Sequence, residues 1–178
     1  MPRVPESEAV SLVRATSDDA PLLGNLLELY MHEWSAILPL ELGIDGRFGY
    51  DKLPLYFREP AARYAFVIKH GARVAGFAFA ARGLQPSAGP DDLDVAEFFV
   101  LRAHRGAGIG QLTAFALWDA LPGRWVVRVL ERNVSALEFW RKVVGRYTRE
   151  AFAERSFDDA RGSWRVLAFA GGRDAPSP

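Results

Sequence analysis

The sequence has no cysteine, no excess of either charge and no long hydrophobic run. Without cysteine, a disulfide framework, a thiolate nucleophile and a cysteine-based metal site are excluded. The 22 basic and 22 acidic residues give a formal net charge of zero, which argues against a nucleic acid bound through bulk charge. No apolar stretch approaches the roughly 20 residues of a membrane-spanning helix. The first residues also lack the apolar region of a secretory signal, so we expect a cytoplasmic protein with no membrane partner.

The 178 residues are enough for one domain of ordinary size. Hydrophobic residues make up 49% of the chain, so a single core can form without covalent or metal staples. Both ends are polar and contain proline. We therefore predict a flexible N-terminus over 1–9, one domain over 10–170 and a flexible C-terminal tail over 171–178.

Hydrophobic periodicity and turn residues predict a mixed sheet with helices on both faces, an α/β or α+β fold. The predicted strands are 11–15, 64–69, 73–80, 93–101, 124–130, 147–154 and 162–169, and the predicted helices include 22–34, 111–120 and 135–144. In the helix at 111–120, the residues expected to face inward are Leu112, Phe115, Ala116 and Leu117.

A glycine-rich segment, RGAGIG from Arg105 to Gly110, lies between a predicted strand and a predicted helix. At a helix start, free backbone N–H groups and the positive end of the helix dipole can hold an anion, and glycine lets the backbone approach a phosphate. Two nucleotide-binding patterns fail at Gln111, where a dinucleotide fingerprint needs its third glycine and a P-loop needs lysine. An ordinary structural turn is the alternative to a phosphate site.

The pattern Arg-x-x-Gly-x-Gly at Arg105, Gly108 and Gly110 resembles the pyrophosphate-binding turn of the GNAT superfamily of N-acetyltransferases. The likeness covers about residues 10–170. VRATSDDAPLLGNLLELY resembles the first strand and helix of the family, and YAFVIKHGARVAGFAFA its second and third strands. AEFFVLRAHRGAGIG is similar to its fourth strand and turn, and ERNVSALEFW to its Asn-x-x-Ala-x-x-Phe-Tyr stretch. The resemblance implies a mostly antiparallel central sheet with helices on both faces.

The resemblance also implies an activity, the direct transfer of an acetyl group from acetyl-CoA to a primary amine without a metal. The acceptor would be a small-molecule or peptide amine, and no residue identifies it. A non-catalytic acyl-CoA sensor and a scaffold with a purely structural glycine turn are the alternatives. A homodimer is compatible with the architecture, although no residue demonstrates one.

According to the resemblance, mainly backbone groups would bind the coenzyme. The strand residues Phe99, Val100 and Leu101 would contact its acetyl and pantetheine parts. Asn133 would contact the coenzyme arm, or cap the helix that follows, or do both. The turn expected to hold the pyrophosphate consists of Arg105, Gly106, Ala107, Gly108, Ile109, Gly110 and Gln111.

Glu97 is the candidate general base. It lies in the apolar strand VAEFFVL, where partial burial would raise the pKa of its carboxyl toward the range useful for accepting a proton. The alternative is a structural hydrogen-bonding residue or a half-exposed strand residue.

Trp140 stands where the family has the tyrosine that protonates the leaving thiolate. An indole N–H donates a hydrogen bond but does not give up its proton usefully. We therefore expect Trp140 to have a packing role, and Tyr30 and Tyr147 are candidates to replace the missing acid.

The remaining candidates lie in the first half of the chain. His32, Glu33 and Glu41 occupy the region that forms the acceptor wall in similar proteins, where acidic residues suit a cationic amine; a solvated helix end is the alternative. The aromatic stretch 34–64 either lines an acceptor pocket or forms core under a long connection. The spacing of His32 and Glu41 is not a metal signature.

Overall fold

Seven strands and four α-helices make up the fold in a computed structural model that describes residues 9–84 and 88–172. The strands are β1 (Val10–Arg14), β2 (Arg63–His70), β3 (Arg73–Arg82), β4 (Leu93–Val100), β5 (Gly123–Leu130), β6 (Ala153–Asp159) and β7 (Gly162–Gly171). The helices are α1 (Ala20–Trp34), α2 (Leu55–Arg58), α3 (Ile109–Ala120) and α4 (Val134–Thr148). The segments predicted to be flexible lie outside the described residues, except for residue 9 and residues 171 and 172.

The strands form one sheet in the order β1-β2-β3-β4-β5-β7-β6. Every neighbouring pair is antiparallel except β4 and β5, which are parallel. The predicted fold class, a mixed and mostly antiparallel sheet with helices on both faces, is confirmed. None of the helices within 9–84 and 88–172 has both the length and the apolar character required to cross a membrane.

Helix α1 follows from the local sequence. In the turn that precedes the helix, the Asp19 carboxylate accepts a hydrogen bond from the Thr16 N–H at 2.9 Å. Thr16 and Asp19 are the two residues of a capping box. The residues that α1 buries, spaced to lie on one face, are Leu23, Leu26, Leu27 and Tyr30. This face packs on the sheet, and Tyr30 lies over β3 and β4.

The sheet separates two hydrophobic clusters. Helices α1 and α2 cover one face, where the rings of Phe77 and Phe79 are fully buried. Helices α3 and α4 cover the other face, around the fully buried Trp118. The two sides are called the α1 face and the α3 face below.

The predicted inward face of α3 is partly wrong. Leu117 is fully buried as predicted, but Leu112 is 50% exposed and Ala116 is also exposed. The buried residues of this helix are Ile109, Thr113, Ala114, Leu117 and Trp118. The large Trp118 side chain determines the face, because turning Leu112 inward would move that ring toward solvent.

The strand predicted at 147–154 is wrong over its first part. Helix α4 continues to Thr148 because Val143, Val144 and Tyr147 stay on its buried face. It ends at Arg149, whose φ of 55° places it in the left-handed region, and β6 begins only at Ala153.

Candidate functional site

The parallel strands β4 and β5 separate soon after they meet. They pair at Leu93 with Trp125 and at Asp94 with Val126, and no later pair forms between these two fully described strands. Along β3, Phe79 pairs with Glu97 and Ala80 with Val95, so Ala96 is an extra, bulged residue of β4. A bulge bends its strand. A wedge therefore opens between β4 and β5 toward their carboxyl ends.

The glycine-rich turn lies at the wide end of this wedge, directly after β4. Gly106 and Gly108 have φ values of 85° and 78°, a conformation that favours glycine, and Gly108 caps α3. The N–H groups of residues 108–111 have no hydrogen-bond acceptor in the described part of the chain. Four unpaired N–H groups at a helix start form a site that suits an anion.

The Arg105 side chain extends from the turn back to β4 and α1. Its Nε donates to the carbonyl oxygen of Val100 at 2.7 Å, and its Nη2 donates to the Glu33 carboxylate at 2.8 and 3.1 Å. Arg102 also donates to Glu33, at 3.0 Å. Burial acts to raise the pKa of Glu33, but these two guanidinium groups bring it below its ordinary value. Glu33 is thus an ionised anchor for the turn.

Glu97 lies just past the bulge, with its half-buried carboxylate on the α1 face. Its Oε2 accepts a hydrogen bond from the Tyr30 hydroxyl at 2.6 Å, and its Oε1 accepts one from the Tyr50 hydroxyl at 3.0 Å. Burial raises the pKa of Glu97 above its ordinary value, and the two phenol donors oppose this shift because they stabilise the ionised form. The direction agrees with the expectation from its apolar strand.

Tyr50 reaches Glu97 from the long connection between α1 and α2. Glu28 of α1 holds this connection, since its carboxylate accepts from the backbone N–H groups of Phe48 at 2.7 Å and Gly49 at 3.2 Å. Tyr56 of α2 is only 3% exposed and packs on β3. Within the aromatic stretch, Tyr50 thus contacts the candidate base and Tyr56 belongs to the core, as expected for core under a long connection.

The same connection lines an open depression of about 660 Å³, and Glu41 and Tyr50 are among the residues around it. His32 lies near the ring of Phe48, with 6.3 Å between the ring centroids. Of the three residues expected at an acceptor wall, Glu33 is bound to the glycine-rich turn, whereas Glu41 lines this depression.

Asp94 and Arg128 form a buried ion pair at the point where the wedge begins. Asp94 is fully buried, and Arg128 Nε lies 2.6 Å from its Oδ2. The contact is a close ion pair whose geometry falls outside that of a regular hydrogen bond. Burial raises the pKa of Asp94 to about 6, although the adjacent guanidinium opposes the shift. Sequence reasoning missed this pair, because each residue alone is typical of a protein surface.

The two other aromatic candidates lie on the α3 face. Trp140 is 7% exposed and packs against Phe98 and Phe139, with 4.9 Å between ring centroids in each case. Tyr147 donates to Asp119 at 2.5 Å and accepts from the N–H of Gly172. Packing is therefore the observed role of Trp140, and of the tyrosines considered as acids only Tyr30 reaches Glu97.

The remaining predicted coenzyme residues surround the wedge. Phe99 points into the α1 face and Val100 into the α3 face, and Leu101 follows them. Asn133 lies after β5 and caps α4, since its Oδ1 accepts from the N–H of Ala136 at 3.3 Å. The Gln111 side chain accepts from Arg146 at 2.7 Å. Within 9–84 and 88–172 no three histidine or acidic side chains group as a metal site.

Comparisons with known proteins point to one family. Residues 24–145 match the model of the acetyltransferase (GNAT) family. A comparison with functionally curated proteins gives no match.

Solved structures share the fold at low sequence identity. An acetyltransferase from Thermus thermophilus is 20% identical with a TM-score of 0.64, over 92% of this chain and 98% of that one. The aminoglycoside acetyltransferase AAC(6')-Ib in complex with coenzyme A is 12% identical with a TM-score of 0.65, over 91% and 95%. YncA from Salmonella typhimurium, with its cofactor acetyl-CoA, is 14% identical with a TM-score of 0.56, over 96% and 98%.

Proposed function

Because the chain belongs to the acetyltransferase (GNAT) family, we propose that it transfers an acetyl group from acetyl-CoA directly to the nitrogen of a primary amine. The observation that carries the proposal is the Glu97 carboxylate beside the wedge, whose wide end holds the unpaired N–H groups of the α3 turn. Two proteins of similar fold support it: YncA was solved with acetyl-CoA, and AAC(6')-Ib with coenzyme A and kanamycin.

The turn would bind the pyrophosphate of the coenzyme through the N–H groups of residues 108–111, at the positive end of the α3 dipole. Gly106 and Ala107 complete this loop. Val100 and Glu33 hold Arg105 in place, and Arg105 and Arg102 together would leave one positive charge beside the turn that Glu33 does not balance. Such a preformed site loses little conformational entropy when it binds its ligand.

Phe99, Val100 and Leu101 would hold the pantetheine and acetyl parts along the open edge of β4. The Val100 carbonyl oxygen already accepts from Arg105, and the Leu101 N–H already donates to the carbonyl oxygen of Ala75, so we expect the Val100 N–H to make the main backbone contact. Asn133 uses its side-chain oxygen to cap α4, which leaves its amide N–H groups for the coenzyme arm.

In the proposed reaction, the neutral amine attacks the thioester carbonyl carbon. A C–N bond forms, the C–S bond breaks, the coenzyme leaves as a thiolate, and the proton of the amine passes to Glu97. The buried phenols of Tyr30 and Tyr50 keep the Glu97 carboxylate available as the proton acceptor. A thiol pKa of about 8.5 lets the thiolate leave and take a proton from water, so no acid is needed at Trp140.

The two phenols occupy only two of the lone pairs of the Glu97 carboxylate, and an amine that approaches closely would displace the more weakly held of these donors. The bond from Tyr50 is longer than the bond from Tyr30, at 3.0 Å against 2.6 Å. Tyr50 also belongs to a connection without regular structure, whereas Tyr30 is fixed in α1. We therefore assign Tyr30 as the permanent positioning residue and Tyr50 as the donor that the amine displaces.

The first test is thermal unfolding with acetyl-CoA, with free CoA and ATP as controls. A ligand at 100 times its Kd adds about 2.7 kcal/mol of stability, and each kcal/mol shifts Tm by roughly 2–4 °C at this size. We expect a shift of several degrees with both CoA species and none with ATP. The absence of a shift at millimolar acetyl-CoA overturns the proposal.

The second test is release of the CoA thiol in a screen of primary amines. Glu97→Gln should abolish amine-dependent release without changing the thermal shift, because it removes the base and not the coenzyme site. Glu138→Gln is the matched control, since Glu138 lies exposed on α4, which covers the other face of the sheet. A shift with acetyl-CoA but no release with any amine would instead favour the sensor.

A further inference from the structure

Arg128 has hydrogen-bonding capacity that the protein leaves unused. A guanidinium has five N–H donors, and in the described residues the one ionic partner of Arg128 is Asp94, which lies next to Nε. The Nε atom of Arg128 is buried, but the side chain as a whole is 17% exposed. The two Nη atoms are not among the buried polar atoms that lack a hydrogen-bond partner. The Nη edge of the guanidinium is therefore open to solvent.

This open edge lies on the same side of the sheet as Glu97. Val127 and Val129, which flank Arg128 in β5, pack into the α3 face, so Arg128 projects toward the α1 face. The Tyr30–Glu97 bond is also on the α1 face. Burial raises the pKa of Glu97, and after the two phenols the positive charges of Lys52 and Arg128 oppose that shift.

The two side chains flank the wedge from opposite strands. Glu97 comes from β4 and Arg128 from β5, and both lie beyond the last pair of these strands, Asp94 with Val126. A ligand that enters here meets a carboxylate on one side and a guanidinium on the other. An ammonium group suits the carboxylate, and a carboxylate suits the planar Nη edge, which can donate two parallel hydrogen bonds.

We propose that Arg128 binds a carboxylate of the acceptor, and that the acceptor is an amino acid or another small amine with a carboxylate close to its amino group. The inference rests on the proposed function and specifies its substrate class. An amine without a carboxylate would make no charge-assisted hydrogen bonds to Arg128 and would leave its Nη groups to water. Arg128 is thus a specificity residue, and Asp94 holds it in place.

The competing explanation is that the ion pair only ties β5 to β4 at the start of the wedge. In that case a change at Arg128 affects every acceptor alike, because it acts through the geometry of the strands. The two explanations therefore differ in how the effect depends on the carboxylate of the acceptor.

The experiment measures kcat/KM by thiol release for the L-amino acids and for the matching amino acid amides. For each variant we take the acid-to-amide ratio, which is kcat/KM for the amino acid divided by kcat/KM for its amide. This ratio is then divided by the wild-type ratio, because the quotient cancels differences in amine pKa. Arg128→Lys keeps a positive partner for Asp94 but loses the pair of parallel N–H donors of the guanidinium. The double variant Asp94→Asn/Arg128→Gln removes both charges, so that neither is left buried without the other. We expect both to lower the ratio by about 10-fold or more, mainly through KM for the acids.

Arg165→Gln is the matched control, because Arg165 of β7 pairs with Val129 and so projects to the α3 face, opposite to Arg128, where it forms ion pairs with Glu131 and Glu154. It should leave the acid-to-amide ratio unchanged. An unchanged ratio in the Arg128 variants, or acetylation only of amines that lack a carboxylate, overturns the inference while the proposed function stands. If acetyl-CoA stabilises the protein but no acid, amide or other amine releases thiol, both fall.

Discussion

At the scale of single residues, Glu97 is held by two hydroxyl groups that come from different parts of the chain. Both phenols have a pKa raised above the ordinary tyrosine value, chiefly by burial and then by the charge of Glu97, so they act as neutral donors. Donors of this kind stabilise the ionised carboxylate and limit the upward shift that burial imposes. The pKa of the base is thus adjusted by Tyr30 and Tyr50.

Removing either phenol should raise the pKa of Glu97 further. In Tyr30→Phe and Tyr50→Phe we expect the acidic limb of the kcat/KM profile to move up by about 1–2 pH units, since a hydrogen bond to a charged group contributes roughly 1.5–3 kcal/mol. The measurement is kcat/KM against pH. Tyr64→Phe is the control, because that hydroxyl donates to the carbonyl oxygen of Ala61 instead. A limb that stays in place in both variants would show that these phenols do not adjust the base.

At the scale of structural elements, the approach of β3 to the end of β4 depends on one glycine. A Cβ on Gly76 would lie 1.9 Å from the carbonyl oxygen of Phe99, so no side chain fits there. A Cβ added to Gly24, inside α1, would only make an ordinary van der Waals contact with the Arg47 side chain at 3.8 Å. The two glycines therefore differ in what an added methyl group would do.

We expect Gly76→Ala to lower the free energy of unfolding by about 1–3 kcal/mol or more, because the backbone of β4 must shift to make room. Gly24→Ala should raise it by about 0.5–1 kcal/mol, since alanine is the better helix residue. Urea denaturation of both variants measures these changes. Equal stability in the two variants would contradict the close approach. Gly76→Ala should also weaken acetyl-CoA binding, because Phe99 belongs to the proposed coenzyme edge.

At the scale of the whole molecule, the net charge is zero, but the pKa values of individual carboxyl groups are shifted from their ordinary values in opposite directions. Burial raises the pKa of Asp94 and Glu97, whereas hydrogen bonds from Trp164 and Arg161 lower the pKa of the exposed Asp159 to about 2. Arg141 likewise lowers the pKa of Glu154. The pH dependence of stability is the sum of both kinds of group, so it is best measured one group at a time.

Asp94 should make the folded state less favourable as the pH rises. It keeps its proton to about pH 6 in the folded protein, but its ordinary value is 3.8, so the folded state binds more protons between these limits. The free energy of unfolding of the wild type, minus that of Asp94→Asn, should fall by up to about 3 kcal/mol from pH 4 to pH 7. Urea denaturation across this range measures the difference. A difference that does not change with pH would mean that Asp94 ionises normally.

The sequence by itself was sufficient to predict the element order, the fold class, the family resemblance and the burial of Glu97. The element order and the burial of Glu97 depend on local information, namely hydrophobic period and turn residues, whereas the family resemblance rests on motifs spread over about residues 10–170 and implied the mostly antiparallel sheet. The errors arose where local information is ambiguous, as in α3, where apolar residues occur on more than one side and the bulky Trp118 determines the buried face.

Only the tertiary structure decided which residues meet at the site. The bulge at Ala96 adds one residue to β4, and this extra residue puts Asp94 and Glu97 on the same face although their spacing in a regular strand would separate them. That single shift brings Glu97 to Tyr30 and Tyr50, and Asp94 to Arg128. The partners lie on other strands, helices and connections, and their meeting depends on the register of the sheet, which no short stretch of sequence contains.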